Sequence, residues 1–314
     1  MTTAVVFPGQ GSQSVGMLSE LAAANPTVIG TFREAGDVLG YDLWQLIAAG
    51  PKEQLDRTEY TQPAMLVAGV ATWRVWRERG GTLPQFVSGH SLGEYSALVA
   101  AGALGFADAL LLTQFRGRVM QDAVPVGEGG IAAILGIDDA EVAAACLDAG
   151  QGKVVEPVNF NAPGQVVIAG EIGAVQRAIE ACKTRGAKRA VMLPMSVPAH
   201  SSLMQPAAQR LRERLQSVVI AAPQFRYVSG VDALEHSDPG TIRDCLARQP
   251  AQPVRWTGVV RTLLAGGTTR LLECGPGRVL TPMNKRVDKR PDVTFTWVDD
   301  PATLAAALVT PLGS

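Results

Sequence analysis

The chain opens with an apolar run, Ala4-Val5-Val6-Phe7, which stops at Pro8-Gly9-Gln10-Gly11. A short apolar run closed by a glycine-rich break predicts a buried parallel strand leading into a loop of exposed backbone N–H groups. From Thr61 to Arg79 the residues Met65, Leu66, Trp73 and Trp76 fall on one helical face, with Pro63 expected in the first turn and Gly80-Gly81 beyond the end. Phe86-Val87-Ser88 predicts a second strand. Glu94 to Ala101 predicts a helix of small residues stopped by Gly102, and Asp108 to Gln121 another.

Between Gly130 and Leu193 the rhythm changes. Ile131 to Ile137 predicts a strand, and Asp138 to Ala149 a helix with Asp138 and Glu141 spaced as a capping box. Lys153 to Asn159 and Gln165 to Ala169 predict two strands around an Asn-Ala-Pro-Gly turn. Glu171 to Arg185 then reads as an amphipathic helix and Ala187 to Leu193 as a strand. The order βαββαβ is the ferredoxin-like signature, and its position inside the chain marks an inserted subdomain. The larger unit resumes at Ser196, with a helix over Val254 to Ala265, a strand at Arg270 to Glu273, and a Gly275-Pro276-Gly277 turn into a final helix.

At 314 residues, 47% hydrophobic and 18% charged, the chain can bury a substantial core. A net charge of -1 leaves no dominant basic field for nucleic acid or an anionic membrane. The four cysteines, Cys146, Cys182, Cys245 and Cys274, form no C-x-x-C and stand near no histidine pair, so buried free thiols are expected and no metal site. The N-terminus lacks a signal-peptide pattern, and the longest uncharged apolar stretch, Tyr95 to Ala107, is too short to span a bilayer. A cytoplasmic location is expected. Neither G-x-G-x-x-G nor G-x-x-x-x-G-K-[ST] is present, which removes the main support for a nucleotide site.

Candidate chemistry begins at Gly89-His90-Ser91-Leu92-Gly93, a G-x-S-x-G between a predicted strand and a predicted helix. A nucleophile on so tight a turn needs glycine two residues to either side. A serine also needs a base, and the chain has three histidines. His90 adjoins Ser91 and should point elsewhere, and His236 stands in a polar stretch that reads as solvated loop. His200, in Val197-Pro198-Ala199-His200, remains by elimination. No acid between Ser91 and His200 stands in a strand-end loop of the core, so a Ser-His dyad is expected, with backbone carbonyls orienting Nδ1–H. On the helix from Asp108, the residues Leu112, Arg116, Val119 and Met120 share one face. A guanidinium on an apolar stripe suits bidentate recognition of a carboxylate, with Met120 as adaptable wall.

These stretches, together with Phe7-Pro8-Gly9-Gln10-Gly11-Ser12-Gln13, Thr61-Gln62-Pro63-Ala64, Pro157-Val158-Asn159-Phe160-Asn161 and Glu273-Cys274-Gly275-Pro276-Gly277, resemble the malonyl-CoA:acyl carrier protein transacylases of bacterial type II fatty acid synthesis. The likeness runs over essentially the full chain. It implies an α/β fold, with an α/β-hydrolase-like core over residues 1–127 and 196–314 and a ferredoxin-like subdomain over 128–195. The implied reaction malonylates Ser91 from coenzyme A and releases the acyl group to the thiol of acyl carrier protein. By the same resemblance His200 is general base and acid, Arg116 holds the malonyl carboxylate, and the backbone N–H groups of Gln10 and Leu92 form the oxyanion hole. Gln249 is expected to orient His200 through its carbonyl, while Gln62, Met120 and Asn161 border the pocket. No cofactor or metal is implied, and a monomer is expected. The chain departs from the family's usual pattern at Arg248-Gln249-Pro250-Ala251-Gln252-Pro253 and at Ser229-Gly230. A thioesterase or esterase would use the same elbow but pass the acyl group to water. A noncatalytic carrier-binding module could use the basic runs at Lys183 to Arg189 or Lys285 to Arg290. Polyketide assembly and malonate decarboxylation remain open as pathways.

Overall fold

The computed structural model of the chain describes residues 2–195 and 197–309. Ser196, where the larger unit is expected to resume, lies outside the described residues. The N-terminal apolar run forms β1 (Thr3–Phe7), buried at every position. Four helices, α1 (Ser19–Ala24), α2 (Pro26–Leu39), α3 (Leu43–Ala49) and α4 (Lys52–Leu55), then lead to the long α5 (Thr58–Glu78). β2 (Phe86–Gly89), α6 (Gly93–Ala100) and α7 (Phe106–Asp122) follow. Next come β3 (Gly129–Leu135), α8 (Asp139–Gly150), β4 (Val155–Ala162), β5 (Gln165–Glu171), α9 (Ile172–Thr184) and β6 (Arg189–Met192). The chain continues through α10 (Gln205–Leu215), β7 (Arg226–Val228), β8 (Glu235–His236), α11 (Pro239–Arg248) and α12 (Trp256–Ala265). It ends with β9 (Arg270–Cys274), α13 (Leu280–Val287), β10 (Thr294–Val298) and α14 (Pro301–Val309).

One sheet has the order β10-β9-β1-β2-β7-β8 and is parallel except for the β7–β8 pair. β1, inside this sheet, is apolar on both faces, with Val5 and Phe7 packed into one core and Ala4 and Val6 into another, because helices cover both sides. The second sheet, β4-β5-β3-β6, is antiparallel throughout and carries α8 and α9. Its order and its βαββαβ sequence are ferredoxin-like. The fold is thus an α/β-hydrolase-like core with an inserted ferredoxin-like subdomain. The two are stitched where β4 meets the approach to α12: Phe160 N–H donates to the Val254 carbonyl and Val254 N–H to that of Val158, each at 2.9 Å.

Several local expectations need correction. α5 starts at Thr58, so Pro63 lies inside the helix rather than in its first turn. Its missing donor would have served Glu59, a first-turn residue, and the buried face running on to Trp76 outweighs the loss. Asp138 is the N-cap of α8 but makes no side-chain cap bond, and Glu141 instead pairs with Arg185 at 2.8 Å. The helix after Gly275-Pro276-Gly277 is not the last, because β10 and α14 follow it. His236 stands on the edge strand β8 and not in a solvated loop. The four cysteines are free and buried, as expected.

The serine turn shows why its glycines are where they are. Phe7 of β1 pairs with Gly89 of β2, and Ser91 follows in the left-handed region at φ 53°. A Cβ on Gly89 would lie 1.9 Å from the Gly93 carbonyl carbon, and one on Gly93 would lie 2.1 Å from the Phe7 carbonyl oxygen. Strand, turn and helix therefore close onto backbone alone. Gly93→Ala is expected to cost about 1–3 kcal/mol or more, seen as a fall in Tm of about 3 °C or greater. A melting curve matching the parent within a degree would mean that the turn has slack the structure does not show.

Candidate active site

Ser91 Oγ lies 2.8 Å from His200 Nε2, although the two are 109 residues apart. His200 is itself left-handed at φ 68°, and its backbone N–H donates to the Pro250 carbonyl at 2.8 Å. Its Nδ1 faces the carbonyl oxygens of Gln249 at 2.9 Å and Gln252 at 3.1 Å. Carbonyls only accept, so Nδ1 carries the hydrogen and Nε2 offers its lone pair to the serine hydroxyl. Among the described residues no carboxylate hydrogen-bonds to the ring. Burial, and then the neighbouring Arg116 cation, push the imidazole down from 6.5 to about 3. His200 is therefore neutral at physiological pH.

The predicted stripe on α7 is buried along its length, Arg116 included at 1% exposure. Arg116 Nη1 donates to Gln62 Oε1 at 2.8 Å, and Nη2 donates to Gln249 Oε1 at 2.9 Å and Ser91 Oγ at 3.1 Å. Its Nε has no partner among the described residues. The guanidinium also lies over the Tyr95 ring. All three acceptors are neutral, so a fixed cation stands beside the serine without a carboxylate in direct contact.

Gln249 holds both groups. Its carbonyl meets His200 and its side-chain oxygen meets Arg116, while Nε2 donates to the Ser91 carbonyl at 3.0 Å and to Glu94 Oε1 at 2.6 Å. Neither the side chain's part nor Glu94 was foreseen. Glu94 Oε2 accepts from the Tyr227 hydroxyl, from Ser229 Oγ at 3.1 Å and from the Gly230 N–H at 3.0 Å. The one sequence signal was its place three residues after Ser91, on the inward face of a helix that starts at the elbow.

The remaining expected residues fall around a cavity of about 440 Å³ lined by Gln10, His90, Ser91, Arg116, Met120 and His200 on the core side. Ile131, Asn161, Val167 and Met195 face them from the insert. Met120 is on the wall, and Gln62 lies behind it, fully buried, with Nε2 directed at Met120 Sδ. Asn161 Oδ1 is 2.8 Å from His90 Nε2, which turns His90 away from the serine and against Trp256. The backbone N–H groups of Gln10 and Leu92 have no acceptor among the described residues, and Leu92 is the N-cap of α6. His236 pairs with Asp232 at 3.0 Å, and Ser91 Oγ has its imidazole contact with His200 instead. Asp232, His236 and Cys245 come close enough to hold a metal ion, yet Arg248 already donates to Asp232 and to Cys245 Sγ, so a cation from the protein occupies that position.

A serine on a strained turn, a neutral imidazole with a fixed tautomer and two free N–H groups can carry out acyl transfer through a covalent serine ester. Residues 4–294 match the acyl transferase domain family, and the chain belongs to that family. It is 54% identical over 305 residues to the malonyl CoA-acyl carrier protein transacylase of Salmonella typhimurium, covering 97% of this chain and 98% of that protein. It superimposes with a TM-score of 0.94 on an acyl carrier protein S-malonyltransferase of Vibrio cholerae, 52% identical and covering 98% and 99% of the two chains. A malonyl-transacylase solved with a type II PKS acyl-carrier protein gives a TM-score of 0.97 at 51% identity, covering 99% and 100%. Among the described residues no helix is long and apolar enough to cross a membrane.

The lowered His200 value has a pH signature. Between about 3 and 6.5 the unfolded chain binds a proton at this residue that the folded chain refuses, so this contribution to stability falls as pH drops through that window. His200→Gln lacks the penalty. Its Tm relative to the parent is expected to rise as pH falls from 7 towards 4, and a constant difference would show that His200 titrates alike in both states.

Proposed function

We propose that the protein is a malonyl-CoA:acyl carrier protein S-malonyltransferase, moving the malonyl group to the phosphopantetheine thiol through a malonyl-Ser91 ester. The observation that carries this reading is the buried Arg116, whose Nη2 stands 3.1 Å from Ser91 Oγ. A guanidinium there suits an acyl group that ends in a carboxylate. His200 Nε2 takes the hydroxyl proton as Ser91 Oγ attacks the thioester carbonyl, and the Gln10 and Leu92 N–H groups receive the oxyanion. Collapse breaks the C–S bond, and the proton returns to the departing coenzyme A thiolate. The carrier thiol then gives its proton to His200 and attacks the ester, and Ser91 recovers the proton as it leaves.

Gln249 orients His200 through its carbonyl, while Gln62 supports Arg116, and Met120 and Asn161 bound the acyl space. The core spans 1–127 and 196–314 and the insert 128–195, a division supported by β3 to β6 all falling within the latter. Fatty acid synthesis in the cytoplasm is the proposed setting. A hydrolase would share Ser91 and His200 but has no need of a cation beside the serine.

Ser91→Ala should abolish the malonyl adduct seen by intact mass after mixing with malonyl-CoA, and His200→Ala should slow both half-reactions by about 10²- to 10⁴-fold. An adduct on another residue overturns the assignment. Arg116→Ala removes a desolvated charge-assisted contact worth about 2–5 kcal/mol, so malonyl transfer should collapse while acetyl transfer persists or improves. Equal losses for both substrates, with circular dichroism unchanged, would make Arg116 structural.

A further inference from the structure

Glu94 is a fully buried carboxylate that the proposed reaction leaves unused. Its surroundings are all donors: Tyr227, Ser229 and Gly230 on Oε2, and Gln249 Nε2 on Oε1. Only a group with acceptors on both oxygens satisfies that set, because an amide offers an acceptor on one side alone. The next link is Gln249. With Nε2 directed at Glu94 and at the Ser91 carbonyl, its Oε1 must face Arg116 Nη2. The opposite amide orientation would set donor against guanidinium and acceptor against carboxylate.

We infer that Glu94 is a positioning residue, which holds the Gln249 amide so that Arg116 stays aimed at the serine, and so favours acyl groups that end in a carboxylate. The inference rests on the proposed malonyl transfer. It deepens that reading, because Arg116 takes its orientation from a carboxylate two hydrogen bonds removed, with neutral Gln249 between. Gly230 belongs to the same device: a Cβ there would come within 2.9 Å of Glu94 Oε1.

The test is acylation of the full chain by malonyl-CoA and acetyl-CoA, measured by intact mass at several concentrations. Glu94→Gln is expected to lower the malonyl-to-acetyl ratio by about 10-fold or more, chiefly through KM for malonyl-CoA. Gln249→Met keeps the backbone carbonyl but removes the amide, so the Glu94→Gln/Gln249→Met pair should lose no more than about twofold beyond Gln249→Met alone. Gly230→Ala displaces the carboxylate without changing its charge. It should lower the same ratio by about threefold and keeps the test available should Glu94→Gln not fold. An unchanged ratio in either variant, or effects of Glu94→Gln and Gln249→Met that multiply, overturns the role of Glu94. A parent protein that forms no malonyl-Ser91 would overturn the functional proposal instead, and the two failures are distinguishable.

Discussion

A guanidinium cannot be left in a protein interior without acceptors for its N–H groups, and Arg116 at 1% exposure imposes that constraint on everything near Ser91. It draws in Gln62 from α5, Gln249 from the end of α11 and the serine hydroxyl. Three distant segments meet at one planar group. A carboxylate stands one step further out, at Glu94, whose burial raises its proton affinity while four donors oppose that rise. Gln249 keeps cation and anion in contact with an amide dipole rather than with each other. A direct Arg116–Glu94 pair would satisfy the charges more simply, but would turn the guanidinium away from Ser91.

The second constraint is geometric and falls on the backbone. Ser91 and His200 both adopt positive φ, a strained choice for residues with side chains. The elbow is held by contacts that tolerate no Cβ at Gly89 or Gly93, and His200 by its N–H to Pro250. The 3-10 turn at Gln249–Ala251 supplies that acceptor and a ring contact together. Pro250 fits because its nitrogen is not asked to donate. The unusual Gln-Pro-Ala-Gln stretch therefore still delivers two carbonyls, from Gln249 and Gln252, to one imidazole nitrogen.

What could be read from the sequence was what short-range pattern controls. The strand into Gly9, the turn around Ser91, the βαββαβ insert and the stripe carrying Arg116 each lie within one element or two neighbours, where periodicity and glycine placement act directly. Glu94 was visible as an acid but not as a site residue. Its partners Tyr227, Ser229 and Gly230 are more than 130 residues away, and no local pattern encodes such a contact. A third acid is expected in a strand-end loop, whereas this carboxylate sits on α6 and meets the Gln249 amide rather than the imidazole. β10 is a different kind of miss, since Thr294-Phe295-Thr296-Trp297-Val298 has the β-branched and aromatic composition of a strand. α5 begins at Thr58, ahead of the expected start at Thr61, because its N-cap Arg57 gives no capping signal.

The weak base and the buried cation are one arrangement. Burial is the larger cause of the low His200 value and Arg116 the next, while the Gln249 and Gln252 carbonyls restore part of what is lost. Carbonyl dipoles orient the ring but stabilise an imidazolium less than a carboxylate would. On the malonyl reading, an acyl group that places its own carboxylate on Arg116 cancels the second cause at the moment the base is needed. An acetyl group leaves the cation uncompensated and His200 in its weaker state. Selection of the acyl group and activation of the serine then draw on one contact, and a separate acid in the dyad would weaken that dependence by keeping the base strong whether or not the carboxylate had arrived.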